Sequence, residues 1–246
     1  MELNELLMGY KDSEDKIHRE FEVREMTGED EEAISKNEVK NNGGKVIRTI
    51  LERCVTRIGD FEKSSYTSTK WRDIINSLTV ADQDLMLLKI RTESFGDELE
   101  VTHTCPNSDC KEKLNTIINA DELEIRPFLG ERELSFTLPK GYTDKNGVTH
   151  KEGIIRFPNG LDRELLDTVA RKNLGTANTM LLTRCVLELG TVTVYDKIIR
   201  ELSRRDREYL FKLLKENEFG INMQVDVTCS SCGEEFKGGL NLVNFI

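Results

Sequence analysis

The chain has 246 residues, 37% of them hydrophobic and 33% charged, with a formal net charge of -10. That length suffices for one large domain or two small ones, and the acidity argues against generic nucleic-acid binding, which relies on Lys and Arg releasing counterions from phosphates. No apolar run approaches bilayer-spanning length, and the short acidic start (residues 1–10) lacks the form of a signal peptide, so the sequence predicts a soluble protein made in a cytoplasm, with no membrane partner.

Residues 1–20 are predicted to be an N-terminal extension: a partly disordered tail, or a short amphipathic turn carrying Leu3, Leu6, Leu7 and Tyr10. A short strand and turn follow, Glu22-Val23-Arg24-Glu25-Met26-Thr27-Gly28, and then an acidic run, Glu29-Asp30-Glu31-Glu32, of the kind that opens a solvated helix. Asn42-Gly43-Gly44-Lys45 lacks the earlier glycine and the following Ser/Thr of a phosphate-binding loop. Val46, Ile47, Ile50, Leu51, Cys54, Val55 and Ile58 recur at helical spacing, and Gly59 sits where a left-handed helix cap is expected. Another helix opens at Thr79, with Asp82 three residues on as its capping partner, buries Met86, Leu87 and Ile90, and closes at Phe95-Gly96. A strand with Leu99, Val101 and His103 on one face then runs into Cys105 and returns through Leu114 and Ile118.

Much of this string recurs. Arg53-Cys54-Val55 with Ile58-Gly59 returns as Arg184-Cys185-Val186 with Leu189-Gly190, an offset of about 131 residues by the repeat logic. Leu78, Asp82, Phe95, Gly96, Val101, Thr104 and Cys105 return as Leu202, Asp206, Phe219, Gly220, Val225, Thr228 and Cys229, an offset of about 124. A single insertion of about seven residues in the first copy, between Asp60 and Lys70, reconciles the two. The second copy opens with Ile154-Ile155-Arg156-Phe157-Pro158-Asn159-Gly160. Its helix carries Met180, Leu181, Leu182, Cys185, Val186 and Leu189, with Gly190 as the expected cap. A later helix opens at Ser203 with Leu210, Phe211 and Leu214 inward, and a strand with Met223, Val225 and Val227 on one face runs into Cys229 and returns from Phe236 to Val243. The predicted fold class is α+β, mostly helical: two tandem copies of one unit, residues 21–125 and 133–246, each a small helical bundle with a β-hairpin carrying a zinc knuckle.

Four of the six cysteines form two short pairs, Cys105 with Cys110 and Cys229 with Cys232. In a reducing compartment such pairs point to metal rather than to disulfides. The second pair has the favoured two-residue spacing and is followed by Gly233, where a positive φ helps the chain turn back. The first pair is wider by two and carries Lys111 in place of that glycine. Two thiolates leave tetrahedral zinc half coordinated, so the prediction is one structural zinc per chain, held by Cys105, Cys110, Cys229 and Cys232. The competing reading is a set of ordinary reduced thiols on hairpin tips. His103 reads as a surface histidine, and Cys54 and Cys185 as small core hydrophobes.

No catalytic constellation is found: none of the three histidines, His18, His103 and His150, pairs with a nucleophile motif. The opening string from Glu22 to Glu32 resembles that of T-even-type phage baseplate proteins and their relatives in contractile injection systems. So do the Arg-Cys-Val helix, the Leu78-to-Asp82 helix start, the Phe-Gly turn and the strand into Thr104-Cys105-Pro106. The resemblance implies a structural, non-enzymatic component of a phage-tail baseplate or its hub. It would be assembled in the host cytoplasm, reside in the virion, and bind other baseplate and tail proteins, with no small-molecule substrate. The alternatives are an assembly chaperone absent from the finished particle, and a zinc-ribbon nucleic-acid adaptor. Acidity and the lack of basic-aromatic clusters speak against the latter.

Overall fold

The computed structural model describes residues 4–240. It opens on a hairpin, β1 (Glu5–Lys11) and β2 (Ile17–Val23), whose loop is organised by Asp12: one carboxylate oxygen accepts from the amides of Glu14 (2.8 Å) and Lys16 (3.0 Å). Three helices follow: α1 (Gly28–Ile34), capped reciprocally by Thr27 and Asp30, the short α2 (Asn37–Lys40), and α3 (Gly43–Cys54). The Asn42 side chain accepts from Lys45 N, so the Asn-Gly-Gly-Lys string is a helix cap. The chain then straightens into β3 (Val55–Ile58), which pairs with β2, and β4 (Phe61–Glu62), which pairs with β3. Helices α4 (Ser68–Ser77) and α5 (Val80–Phe95) complete the layer. The hairpin β5 (Glu98–Thr104) and β6 (Lys113–Asn119) projects from it, and β7 (Ile125–Arg126) leads onward.

The second portion runs through β8 (Glu133–Thr143), β9 (Thr149–Arg156), α6 (Gly160–Lys172), α7 (Leu174–Cys185), β10 (Val186–Leu189), α8 (Asp196–Glu201) and α9 (Arg204–Glu216). Strand β11 (Gly220–Ile221) pairs with β7, and β12 (Gln224–Thr228) with β13 (Glu235–Gly239) forms the last hairpin. The sheets are β1-β2-β3-β4, β10-β9-β8 and three two-stranded ribbons.

This corrects the mostly helical expectation. Among the described residues helix accounts for 42% and strand for 31%, in five small sheets, so the fold is mixed rather than a pair of helical bundles. Two local misreadings account for much of the difference. Val55 and Ile58 continue the helical spacing of α3, but both face the core from a strand on the edge of β2, and spacing of three suits either conformation. Gly59 and Gly190 do adopt the left-handed conformation, at φ +53 each, but they end strands rather than helices. The second misreading concerns residues 1–20. Their described part is the hairpin β1–β2, with Leu6, Leu7 and Met8 buried in the main core; Leu3 lies outside the described residues. The expected return to Val243 is seen through Gly239, and residues 241–246 lie outside the described part.

The two portions meet through close backbone packing. A Cβ on Gly44 at the start of α3 would lie 2.5 Å from the Glu164 Cα of α6, and Arg48 beside it bonds Glu164 at 2.7 Å. Gly160 N donates to Leu78 O (3.0 Å) and Val80 N to Pro158 O (3.1 Å), while Phe157 packs edge-on against Phe128 and Phe219, which lie tilted on each other, around β7 and β11. The Arg132 guanidinium donates to the carbonyls of Met8 (2.8 Å) and Gly9 (2.7 Å), tying the start of β8 to β1.

Candidate metal centre

Each cysteine pair sits on a hairpin whose strands run in unbroken register, β5 on β6 from Glu98 with Asn119 to Thr104 with Lys113, and β12 on β13 from Gln224 with Gly239 to Thr228 with Glu235. The two turns close alike. Cys105 N donates to Glu112 O (2.9 Å) and Cys229 N to Glu234 O (2.8 Å). Lys111 at φ +50 and Gly233 at φ +75 make the same reversal; lysine there holds a conformation that L-residues seldom adopt. In the wider turn Asn107 takes up the slack, its side chain accepting from Asp109 N at 3.0 Å and its carbonyl from Cys110 N and Lys111 N at 3.1 Å.

The hairpins bring all four sulfurs together. Sγ of Cys105 and Cys232 are 3.7 Å apart, as are those of Cys110 and Cys229, and all four lie within 4.8 Å of one another. A disulfide needs about 2.05 Å. Four sulfurs at about 2.3 Å from a tetrahedral ion are about 3.8 Å apart, and the observed pairs match that spacing. Cys105 and Cys229 are buried with Leu114 and Val227 in a small cluster, Cys110 is half-buried and Cys232 exposed. The amides of Cys232 and Ser231 draw the Cys229 thiol down to about 7, so this sulfur yields its proton most readily; burial pushes the Cys105 thiol up. Among the described residues, this is the cluster of His, Cys, Asp or Glu with atoms close enough to share an ion.

His103 is not a surface residue. It is buried, packs edge-on against Phe236 of the other hairpin at 6.4 Å, and leaves no room for a Cβ on Gly238, so the ring wedges the two hairpins together; its Nε2 has no hydrogen-bond partner among the described residues. Cys54 and Cys185 lie in the cores, pushed by burial to about 11 and about 12, as inert hydrophobes.

Three sets of structural residues escape a reading of single motifs, and each occurs twice. Asp82 caps α5 through Thr79 but spends its carboxylate on the amides of Leu7 (2.7 Å), Met8 (3.0 Å) and Gly9 (3.2 Å) in β1. Asp206 at the start of α9 likewise accepts from Lys140 N (2.7 Å) and Gly141 N (3.4 Å) in β8. His18 bonds Asp12 (2.8 Å) under Gly59, and His150 bonds Asp144 (3.2 Å) under Gly190. Asp30, far from solvated, is fully buried between Arg24 (2.7 Å) and Arg53 (2.5 Å), as Asp162 is between Arg156 (2.7 Å) and Arg184 (2.5 Å). The recurring pairs Tyr10 with Asp12 and Tyr142 with Asp144, and the histidines six residues beyond each aspartate, were the available signal.

Comparison with curated proteins and with solved structures gave no match. A family model described as T4 bacteriophage base plate protein matches residues 10–155, from the opening hairpin through Cys105 and Cys110 to β9. That match covers more than half of the chain, which therefore belongs to the T4 bacteriophage base plate protein family.

Proposed function

We propose that this chain is a structural scaffold of a contractile-tail or injection-system baseplate, in or beside the hub. Its fold is read as two tandem copies of one unit, tied at their hairpins by one zinc ion. Its work is to hold neighbouring baseplate chains in fixed relation, without catalysis.

The observation that carries this reading is the meeting of two hairpins more than a hundred residues apart in sequence, so that four thiols converge, two pairs at 3.7 Å and all within 4.8 Å, close enough to share one ion. Four thiolates leave a zinc ion no open position for water, which suits a structural rather than a catalytic role. The two-copy reading is supported by the twin Asp–His, Asp–Arg and strand-anchoring aspartate arrangements, and by a compensated exchange in the cores. Phe21 of β2 has Gly153 at its counterpart in β9, and Asn4 has Phe136 in β8; the Phe136 Cζ lies 2.5 Å from where a Gly153 Cβ would stand, so the ring fills the vacated space.

Two measurements test the proposal. Mass spectrometry of purified, intact tails is expected to find the chain in fixed stoichiometry; confinement to assembly intermediates would replace the scaffold with a chaperone. Elemental analysis of protein purified without chelator is expected to give about one zinc per chain. None, or two, would refute the shared site.

A further inference from the structure

The last helix of each portion is covered differently. In the first, Ile50 of α3, Leu87 and Ile90 of α5 and Leu99 of β5 are fully buried, in the main core that also holds Ala120 and Leu123. Their counterparts in the second, Leu181 of α7, Phe211 and Leu214 of α9 and Met223 before β12, are only half-buried. All four line one groove of about 370 Å³ together with Phe157 and Ile221. The groove lies between the two cores, since Phe157 and Ile221 belong to the main one and Leu181 and Phe211 pack on the second. Its acids are engaged: Asp84 bonds Arg163 (2.7 Å), and Glu218 lies 3.8 Å from Arg126. The groove therefore suits apolar side chains rather than a cation.

In the first portion the chain reaches the core through a turn. At the end of β6 the Asn119 side chain accepts from Asp121 N (3.0 Å), and Ala120 N donates to Asp97 O (2.8 Å). A short 3-10 turn, Ala120–Glu122, then buries Ala120 and Leu123 while Asp121 and Glu122 are exposed. Strand β13 leaves its hairpin in the same register: Thr228 pairs with Glu235 as Thr104 does with Lys113, and Leu240 N donates to Met223 O (2.8 Å). By that register Asn119-Ala120-Asp121-Glu122-Leu123 corresponds to Asn241-Leu242-Val243-Asn244-Phe245. The asparagine recurs, and the two inward positions pass from Ala to Leu and from Leu to Phe. The larger pair suits the half-covered face of α9.

We propose that residues 241–246 seat in this groove and repeat the turn of residues 119–123, with Leu242 and Phe245 inward. Leu240 anchors the segment at Met223, itself a residue of the groove, and six residues extend to about 20 Å, far enough to cross to α9. Seated there, the segment joins the two cores and stiffens the joint between the portions. The inference rests on the two-copy reading, which selects Leu242 and Phe245 as the inward residues.

The test uses the full chain, metal-loaded, in NMR. Nuclear Overhauser contacts are expected from the Phe245 ring to the methyls of Leu181, Leu214 or Met223. Amide exchange in β11 and the last turn of α9 is expected to be about tenfold faster in Leu242→Ser and Phe245→Ser, and unchanged in Val243→Ser. Overhauser contacts that are absent, that lie elsewhere, or that arise only between differently labelled chains overturn the seat, the last by making the occupant a second copy. So does exchange unchanged by Phe245→Ser, or equally fast in Val243→Ser. Failure of the two-copy reading shows separately, as an experimental structure in which α9 with Gly220 does not superpose on α5 with Gly96.

Discussion

Replacing Asp82 by alanine separates two accounts of what that residue does. As a capping partner of Thr79 alone, it is worth at most about 1.5 kcal/mol. The structure gives it more to do: its buried carboxylate accepts from the amides of Leu7, Met8 and Gly9 and from the Thr79 hydroxyl (2.8 Å). Truncation leaves three buried backbone donors unmet, at about 1–3 kcal/mol each, and even with water entering the vacated space the loss is expected to be about 4 kcal/mol. That is a large share of a stability of about 5–15 kcal/mol. Asp206→Ala strands two donors, one of them long at 3.4 Å, and is expected to cost about half as much. Urea denaturation of both variants with metal present measures the difference, and hydrogen exchange should show faster opening at Leu7, Met8 and Gly9 in Asp82→Ala alone. A cost of about 1.5 kcal/mol or less for Asp82→Ala, or no more than for Asp206→Ala, would refute the strand-anchoring account.

Gly44→Ala is expected to destabilise the chain by about 2 kcal/mol, because the new methyl meets Glu164 backbone; Gly43→Ala, whose Cβ meets only the Asp167 carboxylate at 3.6 Å, should be close to neutral. Thermal unfolding of the pair checks this. Burial works against the charge on Asp30 and Asp162, but Arg24 and Arg156, helped by Arg53 and Arg184, win and hold both carboxyls below the ordinary range. Their contribution is then fully present above the unfolded value of about 3.9 and is lost as pH falls from there through the folded value. Urea midpoints between pH 7 and pH 3 should fall more steeply below pH 4 for the unmodified chain than for Asp30→Asn. Cys232→Ser should lower bound metal in elemental analysis while leaving the far-ultraviolet helical signal nearly unchanged.

What was legible in the sequence was local chemistry with a fixed spacing. The caps at Thr79 and Ser203 form as their hydroxyls dictate, and the paired spacing of the cysteines foretold that Cys105, Cys110, Cys229 and Cys232 would gather. Strand β1 was not legible because Leu6, Leu7 and Met8 are all buried, which erases the alternation that marks a half-exposed strand. Nor was β3, four residues long and continuous with the apolar stripe of α3. His103 was misplaced because burial there comes from Phe236 and Gly238, more than a hundred residues away, and no local pattern announces a contact of that separation.

The layout of the cores fixes how far removal of an ion from the proposed four-cysteine site should spread. The roots of the hairpins, Leu99, Ile118 and Leu240, belong to the main core that also holds Trp71 and Leu85. The tips belong to a separate small cluster of Cys105, Leu114, Val227 and Cys229, joined by Val225 and Phe236. This small cluster, even with His103 wedged against Phe236, buries little apolar surface to set against the entropy of ordering two tips, so the tip contact is expected to depend on whatever links the sulfurs. The joint between the portions does not share that dependence: Gly44 on Glu164, β7 on β11 and the three phenylalanines lie outside the tip cluster. Chelation is therefore expected to free amide exchange at Cys105, Cys110, Cys229, Cys232 and their turns while α3, α5 and α7 stay protected. Exchange that spreads into α5 would mean that the hairpin roots, and not only the tips, are held by the ion.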